Sequence, residues 1–154
     1  MRPIFLATVL LSCATATFTT CGTSSANLPI TELYADPPGI VAADQPVTFR
    51  LGFTVPEGGS IPSGLVELTT SWNGIPMPVQ RSSLASYFPL PLQPGSHSFN
   101  KTIIFPASVW GRVNTQLNVY NETGAQLLCA QWTVLATGNA KNETYWPFSA
   151  LFTV

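Results

Sequence analysis

The amino-acid sequence predicts an all-β protein, either a sandwich or a barrel. Hydrophobic residues make up 45% of its 154 residues and charged residues 8%, so one domain with a substantial core is expected. Short runs rich in Val, Ile, Thr and Phe alternate with segments that carry the 14 Pro and 11 Gly. No long segment has the 3.6-residue period of an amphipathic helix.

The N-terminus has the pattern of a secretory signal peptide. A basic start, Met1-Arg2-Pro3, precedes an apolar run from Ile4 to Leu11, and Ala14-Thr15-Ala16 follows as a cleavage motif. We therefore predict a leader at residues 1–16 and a β domain at 17–138. Two alternatives stay open: a buried first strand, and a lipidated cysteine at Cys13.

The first predicted strands lie between residues 27 and 55. Residues 27–34 are predicted to form an edge strand because Pro29 near its start lacks an N–H. A turn at Asp36-Pro37-Pro38-Gly39 follows. Strict alternation then predicts a strand over 46–55 with one apolar face, made of Val47, Phe49, Leu51, Phe53 and Val55.

A hairpin is predicted around Asn73-Gly74, the dipeptide that favours a type I′ turn. The strand before the turn alternates through Val66, Leu68, Thr70 and Trp72, and the return over 75–79 is predicted to be an edge because of its prolines. Residues 82–94 form an apolar loop expected to cover part of the core. In the next strand, 98–105, alternation places Lys101 on the inward face near the end of the core if Asn100 faces outward.

Residues 111–136 have the pattern of two long antiparallel strands joined by the turn Asn121-Glu122-Thr123-Gly124. The predicted inward residues are Val113, Thr115, Leu117, Val119, Leu128, Ala130, Trp132 and Val134. The predicted outward residues are Arg112, Asn114, Gln116, Asn118, Cys129, Gln131 and Thr133.

The segment 139–154 is predicted to be an apolar C-terminal tail. It contains Tyr145, Trp146, Phe148, Leu151 and Phe152. A dense group of exposed aromatic residues is unusual on a soluble monomer, so these side chains are expected to dock on the sandwich or cover a cavity mouth. A tail that contacts nothing is the alternative.

Three Asn-x-Thr sequons, at Asn100, Asn121 and Asn142, predict a glycoprotein exported through a eukaryotic secretory pathway. Cleavage of the leader would remove Cys13 and leave Cys21 and Cys129, an even number for which a disulfide is expected in an oxidising compartment.

Several functions are excluded by what the sequence lacks. Without Arg2 the formal charge is 5 basic minus 7 acidic residues, or −2, which offers no basic patch for nucleic acid. The single histidine, His97, is predicted to be a solvated loop residue, and the carboxylates are scattered singly, so no metal site or cofactor is predicted. No catalytic motif is present, and an enzyme is not predicted.

The order of these features resembles the MD-2-related lipid-recognition (ML) domain family, which includes Niemann–Pick type C2 sterol carriers, group 2 mite allergens and fungal phospholipid-transfer proteins. The resemblance covers about Ile30 to Ala136. It rests on Leu33 to Pro38 with the turn that follows, on the strand over 46–55, on Pro89-Leu90-Pro91-Leu92-Gln93-Pro94-Gly95, on Phe105-Pro106, and on Asn121 to Cys129. Family members commonly have six cysteines, and this chain matches only the outer pair, Cys21 and Cys129.

The resemblance implies an immunoglobulin-like sandwich of two antiparallel sheets with a lipid between them, secreted or in the endolysosomal lumen. The implied ligand is a sterol or phospholipid, with transient contact to a membrane or an acceptor protein. One predicted wall comprises Phe49, Leu51, Phe53, Val66, Leu68 and Trp72. The facing wall comprises Ile103, Phe105, Val113, Leu117, Val119, Trp132 and Val134, with Tyr87, Phe88 and Leu90 at the entrance and Lys101 at the mouth. The alternative is a secreted immunoglobulin-like recognition or adhesion module with a filled core, because alternation alone does not distinguish a pocket from a core.

Overall fold

A computed structural model of the chain describes residues 17–21 and 28–138. The predicted leader, the Asn142 sequon and the predicted tail lie outside these residues. The described residues contain a single 3₁₀ turn, Leu84–Ser86, and ten strands. The strands are β1 (Thr17–Thr20), β2 (Ile30–Asp36), β3 (Ile40–Ala42), β4 (Pro46–Val55), β5 (Gly64–Trp72), β6 (Ile75–Pro76), β7 (Gln80–Ser83), β8 (Gly95–Ile104), β9 (Trp110–Asn121) and β10 (Gln126–Thr137).

The strands form two sheets, which confirms the all-β sandwich. One sheet has the order β1-β10-β9-β5-β6, with β3 also beside β10 and β7 also beside β5. The other sheet has the order β2-β4-β8, so β2 is an edge strand as predicted. All pairings are antiparallel except that of β3 with β10, which is parallel.

The core lies between the two sheets and follows the predicted alternation closely. In β4 all five predicted inward residues are buried: Val47, Phe49, Leu51, Phe53 and Val55. In β9 and β10 the buried inward residues are Val113, Thr115, Leu117, Val119, Leu128, Ala130, Trp132 and Val134. Burial of one face on each strand fixes the strand register, because a slip of one residue would exchange the two faces.

The predicted turn at Asn73-Gly74 is present, with both residues at positive φ, 50° and 85°. The Asn73 side chain also fastens this turn to the start of β9. Its Nδ2 donates to the Trp110 carbonyl oxygen at 3.1 Å, and its Oδ1 accepts from the Arg112 N–H at 2.8 Å. Gly111 lies directly beneath this amide at φ 86°, and a Cβ at that position would collide with the Asn73 side chain.

The turn between β9 and β10 is closed by Asn121. Its Oδ1 accepts from the backbone N–H groups of Thr123 and Ala125 and from the Thr123 hydroxyl, at 2.7 to 3.0 Å. The predicted disulfide is confirmed: Cys21 and Cys129 are bonded with their Cα atoms 4.8 Å apart. Because Cys21 directly follows β1 and Cys129 lies on β10, the bond joins neighbouring strands of one sheet.

Three short strands were not predicted, namely β1, β3 and β7. The threonine-rich β1 directly follows the predicted leader, and only Phe18 of its residues is partly buried. The three residues of β3 are too few for a period to be recognised. Gln80–Ser83 has no apolar residue, and it pairs with β5 beyond the predicted return of the hairpin.

Several features were assigned incorrectly from the sequence. Cys129, predicted on the outward face of β10, is only 2% exposed, where it is bonded to Cys21. Asn118 was predicted to be solvated but is 4% exposed, because it accepts side-chain hydrogen bonds from Gln116 and Gln126 on the outer face. His97 lies within β8 rather than in a loop. The strands were also grouped wrongly into walls, because β4 pairs with β8 in one sheet whereas β5 pairs with β9 in the other.

Candidate functional site

A void lies between the two sheets beside the edge strand β8. Its lining is aliphatic and aromatic apart from the Lys101 ammonium and the Tyr87 hydroxyl, and comprises Phe49, Leu68, Tyr87, Phe99, Lys101, Ile103 and Trp132. Six of these seven residues belong to the predicted lipid site. Phe99 was not included, although its alternation with Lys101 and Ile103 placed it on the same inward face.

A second void shares Phe49, Phe99 and Trp132 with the first. Its other lining residues are Phe18, Leu33, Tyr34, Arg50, Leu51 and Leu117, of which Leu51 and Leu117 were predicted. Phe18 and Leu33 were not among the predicted site residues, because no inward face was predicted for β1 or β2.

The two voids are small. Their volumes, about 20 Å³ and about 10 Å³, correspond to roughly one water molecule each. Pockets that hold drug-sized ligands measure about 300–1,000 Å³. The interior in this conformation is therefore close to a filled core, and a lipid would require the sheets or the lining rings to move.

The rings of Phe49 and Trp132 line both voids and stack on each other across the sheets. Their centroids are 5.3 Å apart and their planes are inclined by 29°. Phe49 belongs to β4 of the three-stranded sheet and Trp132 to β10 of the seven-stranded sheet. This pair is therefore a contact that any lipid entering between the sheets would have to displace.

Lys101 faces inward, as the alternation of β8 predicted. It pairs in register with Phe49 and is half-buried, whereas its neighbour Asn100 is exposed on the opposite face. Its expected position near the end of the core is wrong, because the buried Ile103 and Phe105 extend beyond it. Since β8 is an edge strand, a lysine there can reach water sideways past the sheet and keep its charge solvated.

Tyr87 is positioned by the loop that follows β7. Leu84 anchors this loop with no exposed surface, and Leu92 is held by a bridge to Ile61. The Tyr87 hydroxyl is hydrogen bonded to the Ser82 hydroxyl at 2.9 Å, and its ring meets Phe99 edge-on at 5.1 Å. The loop covers the core as predicted, and Leu84 and Leu92 are the side chains that hold it there.

Phe53, Phe88 and His97 form an aromatic cluster of their own. The His97 ring stacks on Phe53 at 5.6 Å and 26°, and Phe88 meets both rings edge-on. His97 Nε2 lies 2.8 Å from the Gln93 carbonyl oxygen. His97 is therefore a packed strand residue, and neither Phe53 nor Phe88 lines the two voids.

The other predicted site residues are part of the core without lining these voids. Trp72 is partly buried and donates from Nε1 to the Trp110 carbonyl oxygen, and Leu90 packs against the core from the loop. The remainder are buried: Val66, Phe105, Val113, Val119 and Val134.

Within residues 17–21 and 28–138, no group of three or more His, Cys, Asp or Glu residues is placed to hold a metal ion. The same residues include no helix long and apolar enough to cross a membrane. An ion pair joins Arg81 to Glu67 at 2.8 Å across the β7–β5 pair, and neither residue lines the two voids.

Solved structures provide the comparison with known proteins. A Niemann-Pick type C2 protein from Japanese carpenter ant has a TM-score of 0.57 at 12% identity, over 78% of this chain and 98% of that chain. Chicken MD-1 complexed with lipid IVa has a TM-score of 0.50 at 13% identity, over 78% and 88%. The C-terminal domain of wzt has a TM-score of 0.52 at 10% identity, over 80% and 79%.

The fold is similar to that of ML-domain proteins. At these identities the similarity concerns the fold. No protein-family model matches the chain, and no curated protein sequence matches it.

Proposed function

We propose that the protein binds a lipid between its two sheets and carries it in a secreted or endolysosomal compartment, delivering it to a membrane or an acceptor protein. The observation that carries this proposal is the void beside β8, where aromatic walls meet the inward-facing Lys101. An apolar space with one cation suits an amphipathic ligand, whose chain contacts the rings while its head group stays near the edge. The similarity in fold to a Niemann-Pick type C2 protein and to MD-1 complexed with lipid IVa supports the proposal.

Lipid entry requires the space to grow. Burial of a lipid chain contributes about 0.8 kcal/mol per CH₂, so a chain of ordinary length can offset the loss of several ring contacts. The disulfide of Cys21 and Cys129 also does not link the two sheets, since Cys21 directly follows β1 and Cys129 lies on β10, both strands of the seven-stranded sheet. The edge formed by β8 can therefore move away from β5 without breaking that bond.

The second candidate function is a secreted immunoglobulin-like recognition module with a filled core. It is favoured by the small volumes of the two voids, which match an ordinary packed interior better than a ligand pocket. In this case binding would occur on an outer face, and no lipid would accompany the protein.

Organic extraction separates the two functions directly. Protein purified from the medium of a secreting eukaryotic host is extracted, and the extract is quantified by mass spectrometry against protein. The lipid carrier should yield about one lipid per chain. If the extract contained no lipid, and the extracted protein bound no added fatty acid, phospholipid or sterol, the lipid-carrier proposal would be wrong and the recognition module would be the remaining candidate.

Trp132 provides a test of where a lipid binds. A variant that keeps only this tryptophan (Trp72→Phe, Trp110→Phe, Trp146→Phe) is titrated with fatty acids brominated along the chain, which quench indole fluorescence on contact. Quenching is expected because Trp132 lines both voids. The matched control keeps only Trp110, which is exposed on the outer face of the sheet. Equal quenching of both variants would place the lipid on the surface and contradict the proposal.

A further inference from the structure

Three large apolar side chains are exposed together where β10 ends. Ile40 is 49% exposed, Trp110 45% and Leu135 38%. Leu135 is the register partner of Ile40, and Thr137, two residues further along β10, is the partner of Trp110. The three side chains therefore occupy two adjacent rows on the outer face of the seven-stranded sheet, and we call them the end patch.

The end patch belongs to a fixed part of the sheet. The Trp110 carbonyl oxygen accepts from both Trp72 Nε1 and Asn73 Nδ2, which holds the start of β9 in place. Val41 and Ala136, the residues that alternate with the patch on β3 and β10, are buried on the inner face. Single exposed hydrophobic residues are ordinary, but a contiguous group on a rigid surface points to an interaction site.

The chain leaves the sheet beside this patch. Gly138 directly follows β10, and a Cβ there would collide with the carbonyl oxygens of Ala107 and Val109. The backbone therefore passes close against the turn that leads into Trp110. Residues 139–154 begin immediately after this point.

The composition of residues 139–154 complements the patch. The segment contains Tyr145, Trp146, Phe148, Leu151 and Phe152. Tyr145 is seven residues beyond Gly138, so an extended backbone can reach up to about 23 Å, enough to turn back onto the sheet. The first void is less accessible to the segment, because its lining residue Trp132 is buried on the inner face of β10, whereas the end patch lies on the outer face.

We propose that segment 139–154 folds back and docks its aromatic side chains on the end patch of its own chain. A tethered segment has an effective concentration of the order of millimolar, which favours it over an unlinked partner. The segment carries one lysine, Lys141, and one glutamate, Glu143, so its formal charge is zero and the apolar side chains are what the patch would bind. The proposal does not depend on lipid binding, because the patch and the voids lie on opposite faces of the sheet.

A photo-crosslinking experiment on the full chain tests the contact. The photoreactive amino acid p-benzoylphenylalanine replaces Ile40 in one variant and Ile75 in the control. Ile75 is 63% exposed but lies on β6 at the opposite edge of the sheet. After irradiation, a monomeric product with peptide 139–154 linked to position 40, and little or none linked to position 75, is expected. A cross-linked dimer at position 40, or equal linkage at both positions, would overturn the proposal.

Limited chymotrypsin digestion provides a second measurement. Cleavage after Tyr145 and Phe148 should be slow in the original chain and at least about tenfold faster in Leu135→Asp, because a docked segment is cut only when it opens and the buried aspartate disfavours docking. The matched control, Ile75→Asp, should not change the rate. Circular dichroism verifies that both variants are folded. Equal cleavage rates in the original chain and in Leu135→Asp would contradict docking on this surface.

Discussion

The ring of Phe49 on β4 stacks on the indole of Trp132 on β10, with 5.3 Å between centroids. The two residues are 83 positions apart in the sequence and belong to different sheets. Both line the two interior voids, so this contact contributes to the stability of the empty sandwich and would have to open for a ligand. Stability and lipid binding are therefore expected to depend on the same pair of rings.

The Phe49–Trp132 contact should be measurable as a coupling energy. We expect the cycle of Phe49→Leu, Trp132→Leu and the double variant to show about 0.5–1.5 kcal/mol of coupling, as aromatic pairs do beyond their buried area. The measurement is urea unfolding followed by circular dichroism. The same cycle with Phe49→Leu and Leu128→Ala is the control, since Leu128 is buried but lines neither void. A coupling no larger than that of the control would show that the stack is incidental.

Lys101 should affect the choice of lipid more than stability. Replacing the half-buried lysine with methionine keeps the aliphatic stem, so the free energy of unfolding should change by less than about 1 kcal/mol. We expect affinity for fatty acid or anionic phospholipid to fall about tenfold, the effect of losing one charge-assisted contact, while affinity for a neutral sterol is retained. Titration of Lys101→Met and Lys101→Arg with each lipid is the measurement. An equal loss for neutral and anionic lipids would contradict a head-group contact.

Removing the disulfide should destabilise the sandwich. The bond joins residues 108 positions apart, and loss of such a bond typically costs about 2–5 kcal/mol. The variant Cys21→Ala with Cys129→Ala is compared with the original chain by thermal unfolding. Cys13→Ala is the control and should leave the transition unchanged if the leader is cleaved. Free thiols at both Cys21 and Cys129 in secreted protein, found by non-reducing peptide mapping, would contradict the bond.

Asn73 is expected to stabilise the entry into β9 through its side chain. Asn73→Gly tolerates the positive φ but loses both hydrogen bonds to β9, so we expect a loss of about 1–2 kcal/mol. Asn73→Asp keeps an acceptor for the Arg112 N–H and should lose less. Urea unfolding measures the free energy of unfolding of each variant and shows which of the two is less stable. If Asn73→Gly were as stable as the original chain, the turn conformation alone would explain the choice of asparagine.

The sequons at Asn100 and Asn121 are predicted to carry glycans in a secreting eukaryotic host. Asn100 is exposed on the outer face of β8, and a glycan there would not meet the core. Enzymatic deglycosylation followed by intact mass measurement should show one glycan fewer in Asn100→Gln and one fewer in Asn121→Gln. The Asn121 variant should also be less stable, because its Oδ1 accepts three hydrogen bonds in the β9–β10 turn.

Local patterns in the sequence were sufficient for much of the fold. The inward residues of β4, β9 and β10 follow from the two-residue period of a strand, because a strand that covers a core must present one apolar face. The turn at Asn73-Gly74 follows from the need for two positive φ angles. The disulfide followed from the number of cysteines left after the predicted cleavage.

Only the tertiary structure decided which strands are neighbours and how much space lies between them. Alternation marks a face of β4 and a face of β5 equally well, but it does not show that Phe49 and Lys101 share one sheet while Leu68 and Leu117 share the other. Strand pairing depends on hydrogen bonds between residues far apart in the chain, and the volume of the voids depends on how rings such as Phe49 and Trp132 pack across the sheets. The sequence therefore determined which residues make up the candidate lipid site. The pairing of their strands and the small volume of the voids arise from packing between the two sheets.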